Sequence, residues 1–110
     1  MEIYTPRKLK LKAWNLQTKL MMRLSSIECI KGELYKKDHI LLQFTEYVDA
    51  KGEEIYDHDI IHIDGKRYLV GWEKEAGWMC KLLEEDKSLH LQTVDSKKIT
   101  RLCSYFETSK

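Results

Sequence analysis

Residues 41–83 read LLQFTEYVDAKGEEIYDHDIIHIDGKRYLVGWEKEAGWMCKLL, a series of short apolar runs separated by turn signals at Asp49-Ala50-Lys51-Gly52, Asp64-Gly65 and Glu75-Ala76-Gly77. Each signal divides two β-prone segments, so the stretch reads as three successive hairpin connections in a meander. Leu41–Thr45 is expected to return as Glu53–Tyr56, with Gly52 supplying the positive φ of the turn. Ile60–Ile63 is expected to pair with Tyr68–Trp72 across Asp64-Gly65, a dipeptide suited to the type I′ turn whose twist matches a hairpin. Period-two alternation places Tyr68, Val70 and Trp72 on one face and Trp78, Cys80 and Leu82 on the matching face of the next strand. Trp72 and Trp78 are therefore expected to be core residues facing each other across the turn. Gly71 leaves its own face bare for a neighbour to approach.

Toward the N-terminus, Lys8-Leu9-Lys10-Leu11-Lys12-Ala13 alternates charged and apolar residues, which puts Leu9, Leu11 and Ala13 on one strand face and three lysines on a wet one. Asn15-Leu16-Gln17-Thr18 is a plausible turn leading into a paired strand over residues 19–24. Ser25-Ser26-Ile27-Glu28 resembles a capping box, but Gly32 follows and no helical stripe is sustained, so a short irregular or hairpin segment is expected. Toward the C-terminus, Leu89–Val94 and Ile99–Phe106 supply closing strands around Asp95-Ser96-Lys97. So many short strands with little helix predict a mainly β fold, a small barrel or two tightly curved sheets of short antiparallel strands.

A chain of 110 residues with 43% apolar content supports one small domain with one core. No apolar run reaches the ~20 residues that span a bilayer, and MEIYTPRKLK carries charges where a signal peptide needs its apolar region, so a cytoplasmic, non-membrane protein is expected. Cys29, Cys80 and Cys103 sit among apolar or β-branched neighbours and read as reduced core or half-buried thiols. The net charge of +1 conceals an asymmetry: residues 1–37 balance at +6 and residues 38–64 at −7. Such blocks either pair within the fold or mark a partner surface.

The N-terminal Arg7-Lys8-Leu9-Lys10-Leu11-Lys12-Ala13-Trp14-Asn15, the central Leu42-Gln43-Phe44-Thr45 and Asp49-Ala50-Lys51-Gly52-Glu53-Glu54-Ile55-Tyr56-Asp57-His58-Asp59-Ile60-Ile61, and Tyr68-Leu69-Val70-Gly71-Trp72 together resemble the YopX-like family of phage and prophage proteins. A looser match lies at Leu102-Cys103-Ser104-Tyr105-Phe106-Glu107. The family usually has glycine where this chain has Glu46 and again where it has His58, and histidine is among the non-glycine residues that tolerate left-handed backbone. The resemblance implies a β-rich fold with an SH3-like barrel element, a mobile-element origin, and no established catalytic residues or cofactor. On that reading an N-terminal strand region, 1–40, packs on a barrel-like region, 41–110.

Asp57-His58-Asp59-Ile60-Ile61-His62-Ile63-Asp64 is dense in potential metal ligands, but on a strand His58 and His62 stand roughly 13 Å apart at ~3.3 Å per residue, too far for one ion. His62 and Asp64 share a face, with no third ligand fixed nearby. No metal, cofactor or catalytic residue is assigned. The cysteines and serines lack the local signature of a nucleophile paired to a base, and the carboxylates from Glu46 to Asp64 are expected to sit on solvated turns. Lys8, Lys10 and Lys12 project at every second position, about 7 Å apart, near the spacing of phosphates along an extended nucleic-acid strand. Tyr4, Trp14 and Tyr47 are candidate stacking surfaces beside them. The leading expectation is a non-enzymatic accessory protein that associates with other macromolecules, a host or phage protein or copies of itself as a homo-oligomer. A nucleic-acid-binding module using Lys8, Lys10 and Lys12 is second, and an enzyme of undetected type third.

Overall fold

Both residues of the Asp64-Gly65 turn have positive φ, 49° and 83°, as a type I′ hairpin requires, and the strands it joins pair from Ile63–Lys66 to Ile60–Leu69. Gly52 and Gly77 take the same left-handed conformation, at 82° and 80°. Glu46 and His58, where the resemblance places glycine, are left-handed too, at 73° and 63°. The backbone thus keeps the turn geometry without the residue that adopts it most easily.

The structure is a computed structural model that describes residues 10–24, 28–30, 33–35 and 37–109. The strands are β1 (Leu11–Asn15), β2 (Met21–Arg23), β3 (Glu28–Ile30), β4 (Glu33–Tyr35), β5 (His39–Val48) and β6 (Glu54–Tyr56). They continue with β7 (Asp59–Ile63), β8 (Lys66–Glu73), β9 (Gly77–Leu82), β10 (Ser88–His90) and β11 (Ile99–Ser104). A four-stranded antiparallel sheet has the order β2-β1-β5-β6, and a five-stranded one the order β10-β9-β8-β7-β11. One sheet curls into a half-barrel, so the expected mainly β, barrel-like architecture stands. β3 and β4 pair antiparallel, and β5 straddles residue 40, joining β1 and β2 to β6 in one sheet.

Alternation places Ile61, Ile63, Tyr68, Val70, Cys80, Leu82 and Ile99 of the five-stranded sheet in the core, with Leu91 beside them. Ile55 of β6 enters the same cluster from the other sheet, and half-buried Tyr47 of β5 packs against it from that sheet too. Burying such a side chain contributes about 1.5–3 kcal/mol. The turn at Asn15 forms because its Oδ1 accepts the N–H groups of Gln17 and Thr18 at 2.8 and 3.0 Å.

Several expectations are corrected. Trp72 pairs with Trp78 as predicted, but it is 59% exposed and Trp78 is only half-buried, because the apolar stripe of the β8–β9 hairpin runs past the end of the core. Among the described residues nothing lies within 4 Å of a Cβ placed on Gly71, so its bare face is not used for a close approach. The Leu89–Val94 segment is a strand only to His90 and then a 3-10 turn, and β11 ends at Ser104, after which Tyr105–Ser109 coils as a 3-10 helix. Among the carboxylates expected on solvated turns, Asp49 and Asp59 are instead buried. Lys8, Leu9, Tyr4 and residues 25–27 lie outside the described residues, as does the expectation for the Cys29 side chain. Cys80 is fully buried, and burial pushes its thiol up to about 12. Cys103 is half-buried and free.

Candidate functional site

Leu11 and Ala13 are buried on one side of β1, and Lys12 points to the other, as alternation requires. That other side is only partly wet: Lys12 is half-buried, while the Lys10 and Arg23 side chains are 42% and 74% exposed. In the ladder Lys12 stands between Arg23 of β2 and Leu42 of β5, so the three side chains share a face, and Leu42 is 1% exposed. Trp14 lies two residues on, buried against Phe106 with ring centroids 6.0 Å apart, so it offers no stacking surface. Beside the lysines stand Glu54 and Tyr56, from the edge strand β6 of the same sheet, and Arg101 from β11.

The evenly spaced lysine row is therefore not displayed as a row. The Lys10 ammonium forms a short ion pair with Glu54, while Lys12 lies 4.3 Å from the centroid of the Tyr56 ring. Burial pulls the Lys12 ammonium below the usual lysine range and Arg101 adds to the effect, with Asp59 opposing it. Glu54 is held below the usual carboxylate range chiefly by its hydrogen bond from Lys10, and it also meets Arg23 at 3.5 Å. The acidic and basic blocks of the sequence thus meet within the chain at Glu54.

Arg101 closes the cleft from β11. Its Nε donates to Asp59 Oδ2 at 2.8 Å and its Nη2 to Asp59 Oδ1 at 3.3 Å, while the same carboxylate accepts the Tyr56 N–H at 2.8 Å. Burial raises the Asp59 carboxyl, with Arg101 opposing the rise. Tyr56 has its hydroxyl on Glu54 at 3.2 Å, and burial raises its phenol. The resulting polar cleft, of about 530 Å³, is lined by Lys10, Lys12, Arg23, Arg101, Glu54 and Tyr56 among others. Its charged side chains fit it to bind an anion.

Sequence reading found Lys10 and Lys12 but missed Arg23 and Arg101. Arg23 was recoverable, because the hairpin register fixed by the Asn15 turn sets it opposite Lys12, an unfavourable like-charge pair that asks for a counter-charge. Arg101 was not: a register irregularity between Arg101 and Cys103 breaks the simple alternation of β11.

The ligand-rich segment behaves differently from a metal site. Asp59 is committed to Arg101, Asp64 is an exposed turn residue, and His62 is half-buried on β7. Among the described residues no group of three or more His, Cys, Asp or Glu side chains converges. His58 Nδ1 and Asp57 Oδ1 are 3.1 Å apart without hydrogen-bond alignment, and the His58 ring rests on Phe106 at 5.3 Å.

A second recess lies at the turn end of the β8–β9 hairpin. Trp72 and Trp78 meet edge to face, 5.2 Å between centroids, and the Trp72 ring lies over Gly77, where a Cβ would sit 3.7 Å from Cζ3. With Tyr47, Thr45, Ala76 and Gln92 they line a notch of about 460 Å³. The adjoining turn exposes Glu73, Lys74 and Glu75.

The small curled-sheet β protein thus carries two recesses, one polar and one aromatic. The family model described as YopX protein matches residues 2–109, nearly the whole chain, and the chain belongs to that family. The comparison with curated proteins gives no match.

Proposed function

We propose that this YopX-family protein is a non-enzymatic, cytoplasmic accessory protein of phage or prophage type that works by macromolecular association, and that the associating macromolecule is a second copy of the chain. The observation that carries this reading is the Trp72–Trp78 notch. Exposed Trp72 does not stand singly: with Trp78 and Tyr47 it forms a contiguous aromatic recess open to solvent. Its aromatic faces and the acidic turn Glu73–Glu75 suit a cationic side chain, since lysine and arginine are drawn to indole faces and to carboxylates alike. The chain carries such a partner segment itself: residues 1–37 balance at +6, and Glu54 engages only Lys10 and Arg23 of it among the described residues. Notch and basic segment are built from different residues, so their meeting is head to tail and gives a closed ring where the rotation permits.

Mass-resolved size analysis at low ionic strength, with and without nucleic acid, tests this. A discrete oligomer that Trp72→Ala returns to monomer is expected, and it should weaken as salt shortens the Debye length to about 8 Å. A monodisperse monomer at high micromolar concentration and low salt overturns the reading and promotes the nucleic-acid module. That alternative is less favoured on Lys8, Lys10 and Lys12 as a row, because Glu54 already holds Lys10.

A further inference from the structure

We propose that Lys12, Arg23 and Arg101 form a binding site for a phosphoryl group. Three strands supply the three cations: β1, β2 and β11. Lys12 and Arg23 are direct cross-strand partners, an arrangement that like charges disfavour unless an anion lies between them. The internal carboxylates Glu53 and Glu54, which also line the cleft, fill that role only in part. Asp59 is taken up by Arg101, and Glu54 by Lys10, with Arg23 reaching it only at 3.5 Å from a side chain that is 74% exposed. Lys12 has no carboxylate within ion-pair distance among the described residues.

Donors remain available where the charge is unbalanced. Arg101 uses Nε and Nη2 on Asp59, so its Nη1 has no partner among the described residues, and its plane is fixed by the two bonds it does make. Lys12 has its ammonium over the Tyr56 ring with no hydrogen bond to the protein among the described residues. A tetrahedral oxyanion accepts from several directions at once, which suits an ammonium and two guanidinium groups converging from separate strands better than a planar carboxylate does. The cleft, at about 530 Å³, leaves room for whatever the phosphoryl group is attached to. The shared chemistry is a phosphate oxyanion, and its source is either a small phosphate compound or a nucleic-acid backbone.

The test is titration of the full chain with pyrophosphate and, separately, with a single-stranded DNA oligonucleotide, comparing Lys12→Met, Arg23→Ala and the exposed control Lys66→Met, which removes one charge far from the cleft. Saturable binding is expected, weakened about tenfold or more by either cleft variant and by less than about twofold by the control. Binding of pyrophosphate that the oligonucleotide does not displace assigns a small phosphate ligand, and oligonucleotide binding with the same variant pattern assigns a backbone phosphate. Equal losses in all three variants reduce the effect to net charge and overturn the site, as does absence of saturable binding to both probes. Arg23→Ala keeps the test decisive should Lys12→Met unfold, because Arg23 is largely exposed. The mass of the free protein is a separate readout, so failure here leaves the self-association reading standing, and the reverse holds.

Discussion

The carboxylate of Asp49 accepts the backbone N–H of Arg101 at 2.9 Å across 52 residues of chain, while its other oxygen accepts the N–H groups of Lys51 and Glu53, each at 2.9 Å. One buried side chain therefore shapes the β5–β6 turn and ties it to β11, where Ala50 N–H also donates to Ile99 at 3.0 Å. The same tie sets the position of Arg101 in the polar cleft.

Asp49→Ala is expected to cost about 3 kcal/mol, since it orphans three backbone donors that served a charged acceptor. Burial opposes the Asp49 charge, but the donated hydrogen bonds from Arg101, Glu53 and Lys51 outweigh it and hold the carboxyl below the usual range. A depressed folded pKa gives stability that is present above the unfolded value of about 3.9 and lost as pH falls through the folded value. Urea unfolding of both proteins should show a gap that is full at pH 7 and narrows below about pH 4. A gap independent of pH would assign the loss to packing alone.

Arg101→Met leaves Asp59, which is 1% exposed, without its ion-pair partner, and should cost about 3–5 kcal/mol at neutral pH. Burial already raises the Asp59 carboxyl, and removing Arg101 raises it further. A raised folded pKa means stability present below the unfolded pKa and lost as pH climbs through the folded one, so the variant should suffer less at pH 4 than at pH 7. Adding Asp59→Asn to Arg101→Met should recover part of the loss. Denaturant melts of the single and double variants decide it, and no recovery would mean that the pair matters through shape and not charge.

What was legible in the sequence follows the range of the forces involved. The Asp64-Gly65 hairpin and the Lys12–Arg23 pairing depend on local turn chemistry and period-two alternation, and both could be read residue by residue. Asp49 and Asp59 were misplaced on solvated turns because their burial comes from β11, over forty residues away, which no local pattern encodes. Trp72 was misassigned for a related reason: alternation fixes which face a side chain takes but not where along the strand the core stops. The cleft needed Arg101 and Lys12 together, and only the packing of β11 beside the first sheet supplies that.

Gly52 and Gly65 have left-handed backbone with nothing within 4 Å of an added Cβ, so valine at either site is penalised by conformation alone. The expected cost is about 1–2 kcal/mol each. Glu46 is the converse, an exposed non-glycine residue at φ 73°, and Glu46→Gly relieves that conformation while adding unfolded-state freedom and giving up the side chain's own interaction, so it should cost less than Gly65→Val. His58→Gly, at φ 63°, forfeits the ring contact with Phe106. Thermal melts of the four variants would sink this account if Glu46→Gly proved as damaging as Gly65→Val.

Trp72 and Trp78 are cross-strand partners with unequal surroundings, and that inequality separates stability from association. Trp78 packs against the core cluster, whereas Trp72 is 59% exposed and rests mainly on Trp78 and the backbone of Gly77. Trp78→Ala should cost about 3 kcal/mol, in the range of large-to-small core substitutions. Trp72→Ala removes an edge-to-face contact and little burial, so about 1 kcal/mol is expected. Because association draws on the exposed ring, Trp72→Ala should dissolve the oligomer while the monomer stays folded, and Trp78→Ala should disturb both together. Urea midpoints set beside size analysis of the same preparations read the two effects independently. A Trp72→Ala protein that keeps its mass at low salt would remove the notch from the interface, and one that loses several kcal/mol of stability would return Trp72 to the core.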